Sequence, residues 1–145
     1  MSISSLFAGM DISATGLRAQ RVRMDVIANN IANANTTRTA TGGVYQRQRV
    51  VMEEAQPTSQ AGSAQPAASV GVDIASVEAD TSPPRMVYDP GHPDADNAGF
   101  VSMPNVNIIS EMVDMIAASR AYEANATALT AAKDMVRATL SIGRV

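Results

Sequence analysis

Both ends of this chain carry an unbroken seven-residue apolar repeat, and no other feature restricts the fold as much. Near the N-terminus Ile3, Met10, Leu17, Met24 and Ile31 follow one another at intervals of seven. Their companions three residues on are Leu6, Ser13, Gln20, Ile27 and Ala34, a row apolar at its ends and polar in its middle. Near the C-terminus the repeat is Ile108, Met115, Tyr122, Leu129 and Val136, with Met112, Ser119, Ala126, Lys133 and Leu140 four residues on. A sustained period of seven predicts helices with a narrow buried seam, as in coiled coils. Each end has room for a helix of about 30–35 residues, roughly 45–50 Å at 1.5 Å per residue. A small monomeric globule has little use for two such rods. The expected fold class is mainly α, with long N- and C-terminal helices packed as a coiled-coil-like pair around a small irregular or β middle segment.

Composition divides the chain in the same way, into an N-terminal helix (1–36), a middle segment (37–104) and a C-terminal helix (105–145). The middle holds all seven Pro and eight acids against four Arg. The first helix is expected to stop within Asn33-Ala34-Asn35-Thr36-Thr37, where Asn and Thr side chains compete for the backbone. Gly16 is expected to weaken it by roughly 1 kcal/mol relative to Ala. Pro104-Asn105 is the expected start of the second helix, with Asn105 as N-cap, and Gly143 is its expected stop. In the middle, Val44–Met52 and the alternating Val70, Val72 and Ile74 read as strands, with Arg85–Tyr88 and Gly99–Met103 pairing with them. Glu53–Ser69 contains no Val, Ile, Leu, Met or aromatic residue and reads as a flexible loop (about 53–69).

The same sequence excludes much chemistry. With Cys 0, disulfides, thiol catalysis and cysteine-ligated metals have no material. A single His92 leaves no multi-histidine metal site and almost nothing for a Ser-His-Asp triad. A net charge of −3 and a pI near 5.0 argue against nucleic acid as a partner. No apolar run approaches the roughly 20 residues of a membrane span. No basic stretch leads into an apolar one at the N-terminus, so no cleaved secretory signal is expected. Asp94-x-Asp96 with Gly99 has the outline of a calcium loop, but Ala98 and Asn105 stand where oxygen ligands are required. Tyr88–Gly99 therefore reads as a rigid turn set by two prolines and a glycine. Arg47 and Arg49, and the cluster Arg18, Arg21 and Arg23, read as solvated or intersubunit ion pairs. No catalytic group, cofactor or metal set emerges.

Two amide-rich elements are more specific. Asn29, Asn30, Asn33 and Asn35 lie in or beside the first helix, an unhelpful choice for helix propensity unless the amides bond across to another helix and set register. Arg120-Ala121-Tyr122-Glu123-Ala124-Asn125 offers donors and acceptors from the far end.

These elements carry a family resemblance. Asp25-Val26-Ile27-Ala28-Asn29-Asn30-Ile31-Ala32-Asn33-Ala34-Asn35-Thr36 resembles the N-terminal signature of flagellar rod and hook proteins, and Glu111–Asn125 resembles their C-terminal signature. The stretch Ser82–Asp96, followed by Gly99-Phe100-Val101 and Met103-Pro104-Asn105-Val106, is similar to the middle of the short proximal rod members. One departure is the longer run Thr37-Arg38-Thr39-Ala40-Thr41-Gly42-Gly43-Val44-Tyr45 after the first helix.

The resemblance implies a structural subunit of a hollow helical tube, the flagellar rod, which crosses the periplasm in the basal body and carries motor torque to the hook. Its implied partners are copies of itself, other rod proteins, the adaptor between MS ring and rod, and the type III export apparatus during secretion. No cofactor is implied. The candidate assembly interface combines seam and amide residues: Met10, Leu17, Met24, Asn29, Asn30, Ile31, Asn33, Met112, Met115, Tyr122, Asn125, Leu129 and Val136. The alternative is a soluble helical-hairpin adaptor or export-chaperone-like binding module, which also explains two amphipathic ends but not the Ala-rich outer faces.

Overall fold

A computed structural model describes residues 3–40, 42–55 and 71–142, with side chains from 8 to 141. Helix α1 spans Ile3–Ala32 and helix α2 spans Ile108–Ile142. Between them lie β1 (Gln48–Glu54), β2 (Val72–Ala79), β3 (Arg85–Tyr88) and β4 (Phe100–Met103). The strands form two separate antiparallel pairs, β1 with β2 and β3 with β4. The expected pairing of the last two strands with the first two is thus corrected: residues 89–99 fold into a tight turn, so β3 and β4 find each other first.

Each boundary has a local cause. After Ala32 the chain turns at Asn33–Asn35, where Asn33 Nδ2 donates to the Asn29 carbonyl at 2.9 Å and Thr36 N–H to the Asn33 carbonyl at 3.0 Å. Helix α2 begins later than the sequence suggested. Asn107, not Asn105, caps it, its Oδ1 accepting from the N–H groups of Ile109 (3.0 Å) and Ser110 (3.3 Å). Asn105 is occupied elsewhere, accepting from Arg47 N–H and donating to the carbonyls of Asp80 and Ser82. Strand β1 likewise starts at Gln48 rather than Val44 and ends with Glu53 and Glu54 paired to Asp73 and Val72. Most of the expected loop, residues 56–69, lies outside the described residues, as do Val70 and the expected stop at Gly143.

The helices run antiparallel, since Gly16 meets Asn125 at one level and Asn30 meets Glu111 at another. A Cβ on Gly16 would stand 3.0 Å from Asn125 Nδ2, so this glycine serves close helix approach rather than merely weakening the helix. The β1–β2 hairpin leans on α1, where Thr15 Oγ1 accepts from Val72 N–H at 3.2 Å. Gly71 is required there, because a Cβ would come within 2.4 Å of that hydroxyl.

Burial is concentrated at one end. The buried residues Ala19, Val26, Ile27, Asn30, Ala34, Val101, Pro104, Glu111 and Ala118 leave residues 8–18 and 119–141 with no buried side chain. Long helices without a buried face are marginal in water. The purified chain is therefore expected to show far less helix by circular dichroism than its 30- and 35-residue helices would give if fully formed. A dilute monomer already displaying both helices in full would contradict this.

Candidate assembly interface

At the end of α1 next to the strands, one amide joins three parts of the chain. Asn30 is 1% exposed. Its Oδ1 accepts from Gln48 N–H (2.9 Å) and from the Tyr45 hydroxyl (2.9 Å). Its Nδ2 donates to the Gln48 carbonyl (2.7 Å) and to Glu111 Oε2 (3.0 Å). Toward β1 the side chain thus acts as a peptide group would, taking both backbone positions of Gln48. Asn105 does the same on the other side of this strand entry through Arg47 N–H and the Asp80 carbonyl.

Glu111, in the first turn of α2, is as deeply buried as Asn30 and is held by Arg47, whose Nε donates to its Oε1 at 2.6 Å. The rest of the guanidinium lies between Asp114 (3.7 Å) and Asp80 (3.8 Å). The bond to Glu111, with the charges of Glu111, Asp114 and Asp80, raises the Arg47 pKa further above its ordinary value despite partial burial. Burial, followed by the Glu111 charge, raises that of Tyr45. Hydrogen bonds from the Ser82 hydroxyl and N–H, then the charges of Arg47 and Arg49, hold the Asp80 carboxyl below its usual range. A buried ion pair of this kind is costly to break, because losing one partner leaves an uncompensated buried charge. Here it fixes α1, the strand entry and α2 in one register.

The seam residues lie elsewhere. Met10, Leu17, Met24 and Ile31 are half-buried along the flank of α1, as are Met115, Leu129 and Val136 on α2. Met112 and Tyr122 are exposed. Where the helices meet, Gly16 faces Asn125, Arg23 reaches Asp114 and Asn30 bonds to Glu111, so that Gly16, Arg23 and Asn30 again lie seven residues apart. Period seven is present as expected, but the buried positions mix small and polar residues (Ala19, Asn30, Glu111, Ala118) with Val26 and Ile27, and Gly16 admits the close approach of Asn125. From the companion rows, Ile27 and Ala34 are buried.

Of the expected amide contacts, Asn30 bonds across to α2 and Asn125 packs on Gly16, whereas Asn29 is exposed and Asn33 bonds only locally. Arg120 pairs with Glu123 on its own helix rather than with α1. Arg49 pairs with Glu78, and Arg23 reaches Asp114 at 3.5 Å. Sequence reasoning missed the Arg47–Glu111 pair. Its one visible sign was an acid inside the apolar run that opens the second helix.

On the side of α2 turned away from α1, Ile109, Met112, Val113 and Ile116 form a stripe at helical spacing, each more than half exposed.

The 89–99 turn is shaped mainly by its own bonds and is tied to the chain after α1 through Asp94. Asp96 Oδ1 accepts from Ala98 N–H (2.8 Å) and Phe100 N–H (2.9 Å), and Asp94 is engaged by Thr37 at 2.8 Å and Arg38 at 4.0 Å. His92 Nδ1 accepts one bond, from Asp94 N–H at 3.1 Å. His92→Ala is therefore expected to cost under about 1 kcal/mol and to leave motility normal in a swarm-plate assay. A severe motility defect would mean that the turn acts through this imidazole.

Comparison with known proteins gives a consistent result. Residues 10–49 match the family model described as flagella basal body rod protein, and residues 97–142 match that of the flagellar basal body rod FlgEFG protein C-terminal. The flagellar basal-body rod protein FlgC of Borreliella burgdorferi is 47% identical, over 94% of this chain and 97% of its own length. Proteins of the same name from Bacillus subtilis and Salmonella typhimurium are 39% and 38% identical, covering 95% and 99% of this chain and 98% and 100% of their own. With similarity running through both helices and the middle alike, the chain belongs to the flagellar basal-body rod protein family.

Proposed function

We propose that this chain is a structural subunit of the proximal rod, which associates with copies of itself and with other rod proteins into a helical tube that transmits torque from motor to hook. The paired helices form the inner layer and the middle segment lies outside. Passage through the type III export apparatus without signal cleavage, residence in a rod that spans the periplasm, and contact with the adaptor between MS ring and rod belong to the same reading. No catalytic step is part of it.

One observation carries the proposal: apart from Val26 and Ile27, the described large apolar residues of the helix pair are exposed or only half-buried. Inside the chain the buried or close-packed helix positions are Gly16, Ala19, Val26, Ile27, Asn30, Glu111 and Ala118, while Ile109, Met112, Val113 and Ile116 are more than half exposed. The half-buried rows from Met10 to Ile31 and from Met115 to Val136 become fully covered when neighbours pack alongside. Burial contributes roughly 1.5–3 kcal/mol for each large side chain that is fully covered. The helical-hairpin adaptor is not favoured, because similarity to rod proteins runs through the whole chain, middle segment included. Electron microscopy of purified basal bodies tests the reading: density for this chain is expected in the proximal rod, and rods built without it would end the proposal.

A further inference from the structure

The β3–β4 hairpin has an aromatic face that the described residues leave uncovered. The chain holds only three Tyr and two Phe. Tyr88 and Phe100 are direct cross-strand partners, their ring centroids 5.3 Å apart in an edge-to-face arrangement. They are nonetheless 66% and 40% exposed, and Met86 beside them is 52% exposed, whereas Val101 on the opposite face is wholly buried. Asp89, next to Tyr88, is exposed, and among the described residues its carboxylate pairs with no cation and accepts from Gly91 N–H at 3.2 Å. Aromatic rings bordered by a carboxylate suit a guanidinium, which stacks on the ring and pairs with the acid.

Two such groups stand unused on α1. Arg18 and Arg21 are exposed and lie three residues apart, hence on one side of the helix. Among the described residues neither makes an ion pair or hydrogen bond, while Arg23 on another face is tied to Asp114. The hairpin of the same chain does not reach them. It is anchored by Thr37 and Arg38, beyond the end of α1, and neither β3 nor β4 touches that helix. From Arg21 to the end of α1 the helix runs on for more than 15 Å, at about 1.5 Å per residue.

We infer that the aromatic face of the hairpin docks on the Arg18–Arg21 side of α1 in a second copy of this chain. Tyr88 and Phe100 stack on the guanidinium groups and Asp89 pairs with one of them. The setting rests on the rod reading above. The contact joins two different surfaces, hairpin to helix, so it repeats head to tail from copy to copy, the kind of contact from which helical arrays are built. A face of three side chains falls far short of the roughly 800 Å² per partner of a stable complex. It therefore forms within the assembly and not between free subunits.

The test places the photoreactive amino acid p-benzoylphenylalanine at position 88, which keeps an aromatic ring at an exposed site, in cells that make two differently tagged copies. Irradiation of purified basal bodies is expected to join the residue-88 peptide of one copy to the α1 peptide containing Arg18 and Arg21 of the other. The double change Arg18→Glu, Arg21→Glu should cut that yield at least tenfold, and Arg18→Lys, Arg21→Lys should keep most of it. Crosslinks to another protein, to another segment of this chain, or none at all would overturn the docking. If position 88 does not accept the probe, the exposed Asn97 carries it with the same expected partner. Basal bodies that lack even the unaltered chain would overturn the rod reading instead, so the two failures are distinguishable.

Discussion

Leu129→Asp is expected to yield a chain that is made and stays soluble but does not enter basal bodies, leaving cells non-motile and without filaments. Leu129 is half-buried on the seam of α2, in the stretch where no residue is buried within the chain. The isolated subunit therefore has little packing to lose there. On the proposed rod reading neighbours cover this position, and the substitution would then remove roughly 1.5–3 kcal/mol of apolar burial. It also places a carboxylate between helices, where desolvation costs several kcal/mol more unless a cation pairs with it. Each copy repeats the defect at every contact. Immunoblots of purified basal bodies and swarm plates check the result, and a motile strain would sink the view that this seam faces other subunits.

Asn30→Ala should act in the opposite way, on the subunit itself. It deletes all four hydrogen bonds of the buried amide and leaves Gln48, the Tyr45 hydroxyl and Glu111 each short of a partner. A buried polar group without a partner costs about 1–3 kcal/mol, and Gln48 and Tyr45 are only partly shielded from water, so the expected loss is about 2–4 kcal/mol. Hydrogen exchange of the purified chain should show it as lost protection around residues 45–50 and at the start of α2. Asn30→Asp gives a sharper version. It keeps the acceptor for Gln48 N–H and Tyr45 but sets a second carboxylate against Glu111. Like charges at that separation raise the pKa of the pair. The variant's deficit should thus be largest near neutral pH and shrink as the pair takes up a proton on acidification. A deficit that did not change with pH would show that Glu111 does not face residue 30.

Much of the architecture was legible because it is written in short-range terms. An apolar period of seven specifies a long helix whatever surrounds it, and the Asn-Thr run that ends α1 competes for its own backbone. The prolines and Asp96 that shape the 89–99 turn act within a few residues of one another. Strand pairing was less legible. Several alternating segments can pair in more than one way, and the loop lengths between them decide which pair forms first. The cap of α2 was misplaced by two residues for a similar reason: Asn105 and Asn107 are equally good caps in isolation, and only the approach of Arg47, Asp80 and Ser82 commits the first to another task.

The candidate interface divides along the same line. By itself the sequence determined that two long helices exist, that each carries a seven-residue apolar row, and that the amides near the end of the first helix reach beyond it. Only the tertiary structure decided which row meets which. A row of Met, Leu and Ile and a row of Gly, Arg and Asn share the same period, so hydrophobic patterning fixes the repeat but not its phase. The phase follows from how closely two backbones approach: Gly16 admits Asn125, and Asn30 meets Glu111 only because Arg47, some 17 residues along the chain from Asn30, supplies the balancing charge. That charge balance joins residues far apart in the chain and leaves no periodic trace in the sequence, so it came into view only once the helices and the strand entry were brought together.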